Sequence, residues 1–294
     1  MTTNINQLKG RPPFPFATIA VAVAFSPRLA AVLAEANRLA TVFDAKLLLI
    51  HVGRRSLEKE KQLSEMVGKI GLDVAPHVIW QTGDPVNVLL AVCKENMVDL
   101  LILGALRRET VFRYYLGSVA RGLSRRAKCS LLLLTEPKMG GSHFGQIMVS
   151  CVDNPKTRHS INTARYFAEK TGCREMCLVS EVDPAGLTLA TADDSSSAEN
   201  QLFMKQLVAE AKQQLNALAA DCANGIVPIV QQVLTGRPGF AIRQYAADCH
   251  TDLLVINSPD SRYGIIDRIF THDMEYILEV LPGNILIVHS RVES

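Results

Sequence analysis

The chain of 294 residues repeats itself. Thr82-Gly83-Asp84-Pro85 is answered by Thr235-Gly236-Arg237-Pro238, and Asp99-Leu100-Leu101-Ile102-Leu103-Gly104 by Asp252-Leu253-Leu254-Val255-Ile256-Asn257. Both matches share one offset, so the segment between them aligns without a gap. Ala24-Phe25-Ser26-Pro27 is answered by Val152-Asp153-Asn154-Pro155 at a smaller offset, which puts extra residues in the middle of the second copy. The Ser/Thr/Asp-rich stretch from Thr188 to Asn200 is their natural place, an extra loop near residues 181–200. A shared order of motifs restricts the chain to two copies of one fold, and its length suits two domains better than one large core. The boundaries read as 1–137 for the first copy, 138–145 for a linker holding Gly140, Gly141 and Ser142, and 146–294 for the second.

Within each copy, continuous Val/Ile/Leu runs alternate with helical patterns. The first copy's strands read as Thr18–Ala24, Lys46–Val52, His77–Trp80, Leu100–Leu103 and Leu131–Leu134. Runs apolar throughout suit a parallel sheet covered on both faces. Ser26 before Pro27, Asp84 before Pro85 and Asn154 before Pro155 each read as an N-cap followed by proline in the first turn. After Pro27, the apolar residues Leu29, Val32, Leu33, Ala36, Leu39 and Phe43 keep helical spacing. The fold class is therefore α/β: two tandem, doubly wound, Rossmann-like open parallel sheets of five strands, with helices on both faces.

Composition excludes several classes of function. A net charge of +2 gives no general argument for a nucleic-acid partner. The apolar run Phe14–Phe25 is about half the length a bilayer needs and leads into an amphipathic helix, so no membrane is implied. Seven scattered cysteines suit reduced thiols and a cytoplasmic location. Cys173-x3-Cys177 and Cys249-His250 lack the paired ligand spacing of a zinc site, so no metal is assigned. There is no Walker A, G-x-G-x-x-G, G-x-S-x-G or H-E-x-x-H pattern, and no residue is assigned to catalysis.

Open parallel sheets bind ligands beyond the carboxyl ends of their strands, where strand order reverses. The loop after Leu103 reads Gly104-Ala105-Leu106-Arg107, then nine residues, then Gly117-Ser118-Val119 opening a helix. Gly104 lets a backbone approach a ligand, and Gly117-Ser118 offers free amides, a hydroxyl and the positive helix end to a phosphate. Arg107, Arg108 and Arg113 lie in the same loop and can pair with phosphate oxygens.

On these residues the chain resembles the universal stress proteins. Members that bind ATP carry G-x2-G-x9-G-[S/T] after the fourth strand, matched here by Gly104, Gly117 and Ser118, with Arg107 in place of the second glycine. The family's first strand usually reads V-x-V-D-F-S, with its aspartate near the ribose. Here Val21-Ala22-Val23-Ala24-Phe25-Ser26 puts Ala24 at that aspartate. The second strand ends in His51-Val52, where the Val52 backbone resembles the family's adenine contact. The resemblance implies a cytosolic stress-response protein that binds ATP, ADP or AMP in copy one through Ala24, Val52, Gly104, Arg107, Gly117, Ser118 and Val119, and acts through a protein partner. It also implies intramolecular pairing through the last strands, Leu131–Leu134 and Ile285–Val288, and leaves a homodimer open.

The second copy departs further. Asn257 and Asp260 replace the two glycines and Phe270-Thr271 replaces Gly-Ser, while Asp267, Asp273 and Glu275 add repulsive charge. Asp153 lies one position beyond the family aspartate. Three readings stay open: a nucleotide site in copy one, a tandem scaffold that binds no nucleotide, and, with least support, a weak ATPase.

Overall fold

The computed structural model describes residues 13–72, 76–108, 113–184, 197–221, 225–258 and 276–289. The chain divides into two compact units, one running to His143 and taking in the chain again from Asn284, the other spanning Phe144–Gly283.

In the first unit, β1 (Thr18–Ala22), β2 (Lys46–Val52), β3 (His77–Gln81), β4 (Leu100–Gly104) and β7 (Ser130–Leu134) are parallel, in the order β7-β4-β1-β2-β3. The helices are α1 (Leu29–Phe43), α2 (Leu57–Ile70), α3 (Pro85–Glu95) and α4 (Ser118–Arg126). From β1 the chain adds β2 and β3 on one side, then returns past β1 to β4. Right-handed crossovers travelling in opposite directions put their helices on opposite faces. Accordingly α1 packs on α2, and α3 packs on α4. The order reverses between β1 and β4, which fixes where a ligand crevice belongs.

In the second unit β8 (Gln146–Ser150), β9 (Glu175–Val182), β10 (Ile229–Thr235) and β11 (Leu253–Asn257) form the same parallel pattern, β10-β9-β8-β11. Its helices are α5 (Thr157–Thr171), α6 (Ser197–Ala220) and α7 (Phe240–Asp248). The expected fifth strand, β12 (Asn284–Val288), groups instead with the first unit. It runs antiparallel to β7, with Ile285 opposite Leu133 and Ile287 opposite Leu131. The two expected last strands therefore pair directly, and the division into five and five strands becomes five parallel strands plus β12 in one unit and four described strands in the other. The exchange satisfies the backbone edge of β7, whose five residues are all buried.

The repeated motifs are folding devices. The Asp99 carboxylate accepts from the Ala17 and Thr18 amides (2.9 and 3.0 Å), and Asp252 accepts from the Gln146 amide (2.9 Å), so each clamps the start of the neighbouring strand. Gly83 and Gly236 hold φ of 140° and 159°, which side chains rarely tolerate. Asp84 caps α3 by accepting from the Asn87 amide at 2.9 Å, as expected. The other two proline signals differ: α1 and α5 begin at Leu29 and Thr157, because Ser26-Pro27-Arg28 and Asn154-Pro155-Lys156 close a turn first. β1 also ends at Ala22, two residues before the expected Ala24. Part of the second copy's extra length lengthens a helix, α6 having 24 residues against 14 in α2. Residues 185–196 of the expected insertion lie outside the described residues.

Candidate functional site

Beyond the carboxyl ends of β1 and β4, the first unit places one cation that sequence reasoning missed. Arg28, the residue before α1, donates to the Thr135 carbonyl at 2.7 Å and to the Ala105 carbonyl. Its guanidinium lies 5.3 Å from the centroid of the Tyr114 ring, and the Tyr114 hydroxyl donates to Glu136 at 3.1 Å. A cation opening a helix opposes the helix dipole, so an unexplained arginine straight after Ser-Pro was the available signal. The carbonyls at the ends of β4 and β7 supply the compensation.

The expected loop between Gly104 and Gly117 contains a hairpin, β5 (Leu106–Arg108) against β6 (Arg113–Tyr115), with Arg107 in register with Tyr114. Gly104 ends β4 and is exposed, and a Cβ there would meet Val32 at an ordinary 3.5 Å. Gly117 opens α4 with no side-chain cap, leaving the amides of Ser118 and Val119 in the first turn. A Cβ on Gly117 would lie 2.7 Å from the Leu106 side chain, which is 48% exposed and can move. Ala24 is exposed and Val52 half-buried. Ala24 and Gly104 thus belong to the reversal between β1 and β4, Gly117, Ser118 and Val119 to the start of α4, and Val52 to the end of β2.

Around Val52 stands a second feature absent from the sequence reading. Phe25 and Trp80 stack at 6.3 Å and 23°, and His51 meets both edge-on at 5.0 Å. His51 Nδ1 donates to the Val23 carbonyl at 3.0 Å. That bond leaves Nε2 as the acceptor facing Lys59 Nζ at 3.4 Å, and the same ammonium lies 5.8 Å from the Phe25 ring. The half-buried Phe25 and Trp80 rings offer a face on which a planar base can stack.

Strand register in the second unit replaces each part. Asp153 stands for Phe25, Ser180 for His51 and Val233 for Trp80. With the rings gone, a cleft of about 320 Å³ opens, lined among others by Asp153, Asn154, Ser180, Gln214 and Leu215. Asn257, in place of Gly104, is buried: its Nδ2 donates to Thr157 Oγ1 at 3.0 Å and its Oδ1 accepts from Ser160. Glu181, in place of Val52, accepts from the Gly239 amide (3.0 Å) and the Ile242 amide (2.8 Å) at the start of α7. α7 follows β10 as α3 follows β3, so this carboxylate holds the helix end that Asp84 caps in the first unit. Asp260, Asp267, Phe270, Thr271, Asp273 and Glu275 lie outside the described residues.

A model of the universal stress protein family matches residues 53–135, from the end of β2 through the hairpin and α4 to the residue after β7. The chain carries a domain of the universal stress protein family. A universal stress protein of Methanocaldococcus jannaschii is 30% identical over 91 residues, which are 31% of this chain and 51% of that relative, so the match spans about half the relative's length. Among solved structures, a Pseudomonas aeruginosa UCBPP-PA14 protein assigned to the same family aligns with TM-score 0.71 at 15% identity over 94% of each chain. A universal stress protein of Archaeoglobus fulgidus aligns with TM-score 0.59 at 14% identity, covering 93% of this chain and 97% of that one. At such identities the structures establish the α/β universal-stress-type fold and no ligand. No helix among the described residues is long and apolar enough to cross a membrane.

Proposed function

We propose that this chain is a tandem stress-response protein whose first unit binds an adenine nucleotide and whose second unit does not. The observation that carries the reading is the presence, along the carboxyl ends of β4, β1 and β3, of exposed Gly104, the Arg28 cation and the Phe25–Trp80 rings. The base would stack on those rings beside the Val52 backbone. The phosphates of ATP, ADP or AMP would lie toward Gly104, Arg107 and the Gly117-Ser118-Val119 amides of α4, with Arg28 adding positive field. Ala24 offers the ribose no carboxylate, which weakens binding by about 1–3 kcal/mol against a site that has one. Signalling would then pass to a protein partner in the cytoplasm, with no chemistry on the nucleotide required.

A second reading, a tandem scaffold that binds no nucleotide, is favoured by one specific observation: Arg28 already directs two of its donors to main-chain carbonyls. Equilibrium binding of a fluorescent ATP analogue separates the two. The Gly117→Val protein, whose new side chain displaces only the exposed Leu106, is expected to stay folded and lose at least tenfold in affinity. Undiminished affinity in the folded variant would remove the α4 terminus from the site. No saturable binding by the unmodified protein would favour the scaffold.

A further inference from the structure

Away from the carboxyl ends of the strands, the first unit holds a cavity of about 160 Å³ between α3, α4 and β4. Gly122 brings α4 so near α3 that a Cβ there would lie 2.9 Å from the Val86 side chain. About one and two turns further along α3, at Leu90 and Lys94, the space between the helices is not filled. Leu101 and Leu123, both fully buried, floor the cavity together with Leu90. Lys94, Arg126 and Lys128 line it as well and are exposed. Side chains of this kind lay their stems on apolar surface and keep their charge at the water. Arg126 also donates to Asn87 Oδ1 at 2.8 Å, which engages one of its five donors. Among the described residues no carboxylate lines the cavity. We propose that it binds a small amphipathic anion, a monocarboxylate with an apolar body of about six carbons.

Size and lining set that class. An apolar cavity of about 150 Å³ in a protein core stays dry and takes up benzene, so this volume suits a body of similar bulk. The body lies on Leu90, Leu101 and Leu123, and the carboxylate turns outward to the ammonium and guanidinium groups, which donate charge-assisted hydrogen bonds. Cations at helix ends also offset the helix dipole, which accounts for basic residues at the ends of α3 and α4. The dipole does not account for an apolar space beneath them. A cation of the same shape meets three like charges and no acid, and is turned away. α4 presents its uncapped start to the candidate nucleotide site and its basic end to this cavity, so the two ligands occupy different places.

The test follows the leucine methyl groups of the full chain, isotopically labelled, by NMR during titration with benzoate. The expected result is saturable shifts of the Leu90, Leu101 and Leu123 methyls. Affinity is expected to fall about tenfold in the Lys94→Gln, Arg126→Gln double variant, whose substitutions lie on exposed side chains. Benzylamine, of the same shape and opposite charge, is expected to shift none of the three. Shifts that fail to saturate, or that fall on other leucines, would overturn the proposal. So would an equal response to benzylamine, or a folded double variant that binds benzoate as tightly as the unmodified chain. The benzylamine comparison uses the unmodified chain, so a folding defect in the variant cannot obscure the result. Nucleotide is left out of the titration, so its outcome does not depend on the first unit's nucleotide site.

Discussion

The carboxyl ends of the two sheets are built from the same topology and filled in opposite ways. The first unit closes the space beside β2 with Phe25, His51 and Trp80 and keeps the end of β4 open at Gly104. The second opens the space beside β9 and closes the end of β11 with Asn257, bonded to Thr157 and Ser160. The equivalent helices α3 and α7 both start against a carboxylate, Asp84 in the first unit and Glu181 in the second. A duplicated fold thus keeps its folding devices, Asp99 with Asp252 and Gly83 with Gly236, and varies what projects into the crevice. This is the division of labour expected of a sheet whose loops carry function while its strands carry stability.

Exchanging residues between equivalent positions breaks or sharpens that contrast. The largest effect is expected for Trp80→Val, the residue found in the second unit. Loss of the indole from the Phe25–His51 cluster should cost about 3 kcal/mol in chemical denaturation and weaken any base stacking. A cost below about 1 kcal/mol would mean that the rings do not pack as described. Next comes Asn257→Gly, which leaves the buried Ser160 hydroxyl without its acceptor and frees the strand backbone, at about 2 kcal/mol. The reverse exchange, Gly104→Asn, should cost less, since a Cβ there meets Val32 only at ordinary contact distance. Equal costs for the two would erase the asymmetry between open and closed strand ends.

A smaller loss, about 1 kcal/mol, is expected for Glu181→Val, which removes the acceptor for two amides at the start of α7. Added sulfate should restore some of that stability by occupying the vacated helix end, and a variant indifferent to sulfate would argue against this role of Glu181. A separate effect concerns pH. Burial first, then Glu175 and Cys249, push the Cys177 thiol up to about 11 from 9.0. A raised thiol pKa stabilises the folded protein fully below the unfolded value, and that stability is lost as pH rises toward the folded one. Denaturant midpoints should therefore fall between about pH 9 and 11, less steeply in Cys177→Leu, the first unit's residue being Leu48. Parallel profiles for the two proteins would assign the alkaline loss to other groups.

The duplication, the parallel sheets and the Asp84 cap were legible in the sequence because they rest on local chemistry: apolar runs, glycine punctuation and one carboxylate beside one proline. Arg28 was not, since its partners Ala105 and Thr135 are distant in sequence and are main-chain carbonyls that leave no compositional trace. The Phe25–His51–Trp80 cluster was hidden for the same reason, as its members come from three strand ends that only the β1-β2-β3 register brings together. The pairing of β12 with β7 was expected from the family resemblance alone, since a Val/Ile/Leu strand does not itself encode which neighbour it pairs with. Ala24, Gly104, Gly117 and Ser118 are expected at the site from motif spacing, which gave no sign of the hairpin inside it.

The most direct test is the number of nucleotide sites in the intact chain, measured by titration calorimetry with ATP on protein first stripped of any bound nucleotide. The two crevices as described predict one site per chain, lost in Gly117→Val and kept in Asn257→Gly. Two sites, or a single site that survives Gly117→Val, would contradict the assignment of nucleotide binding to the first unit.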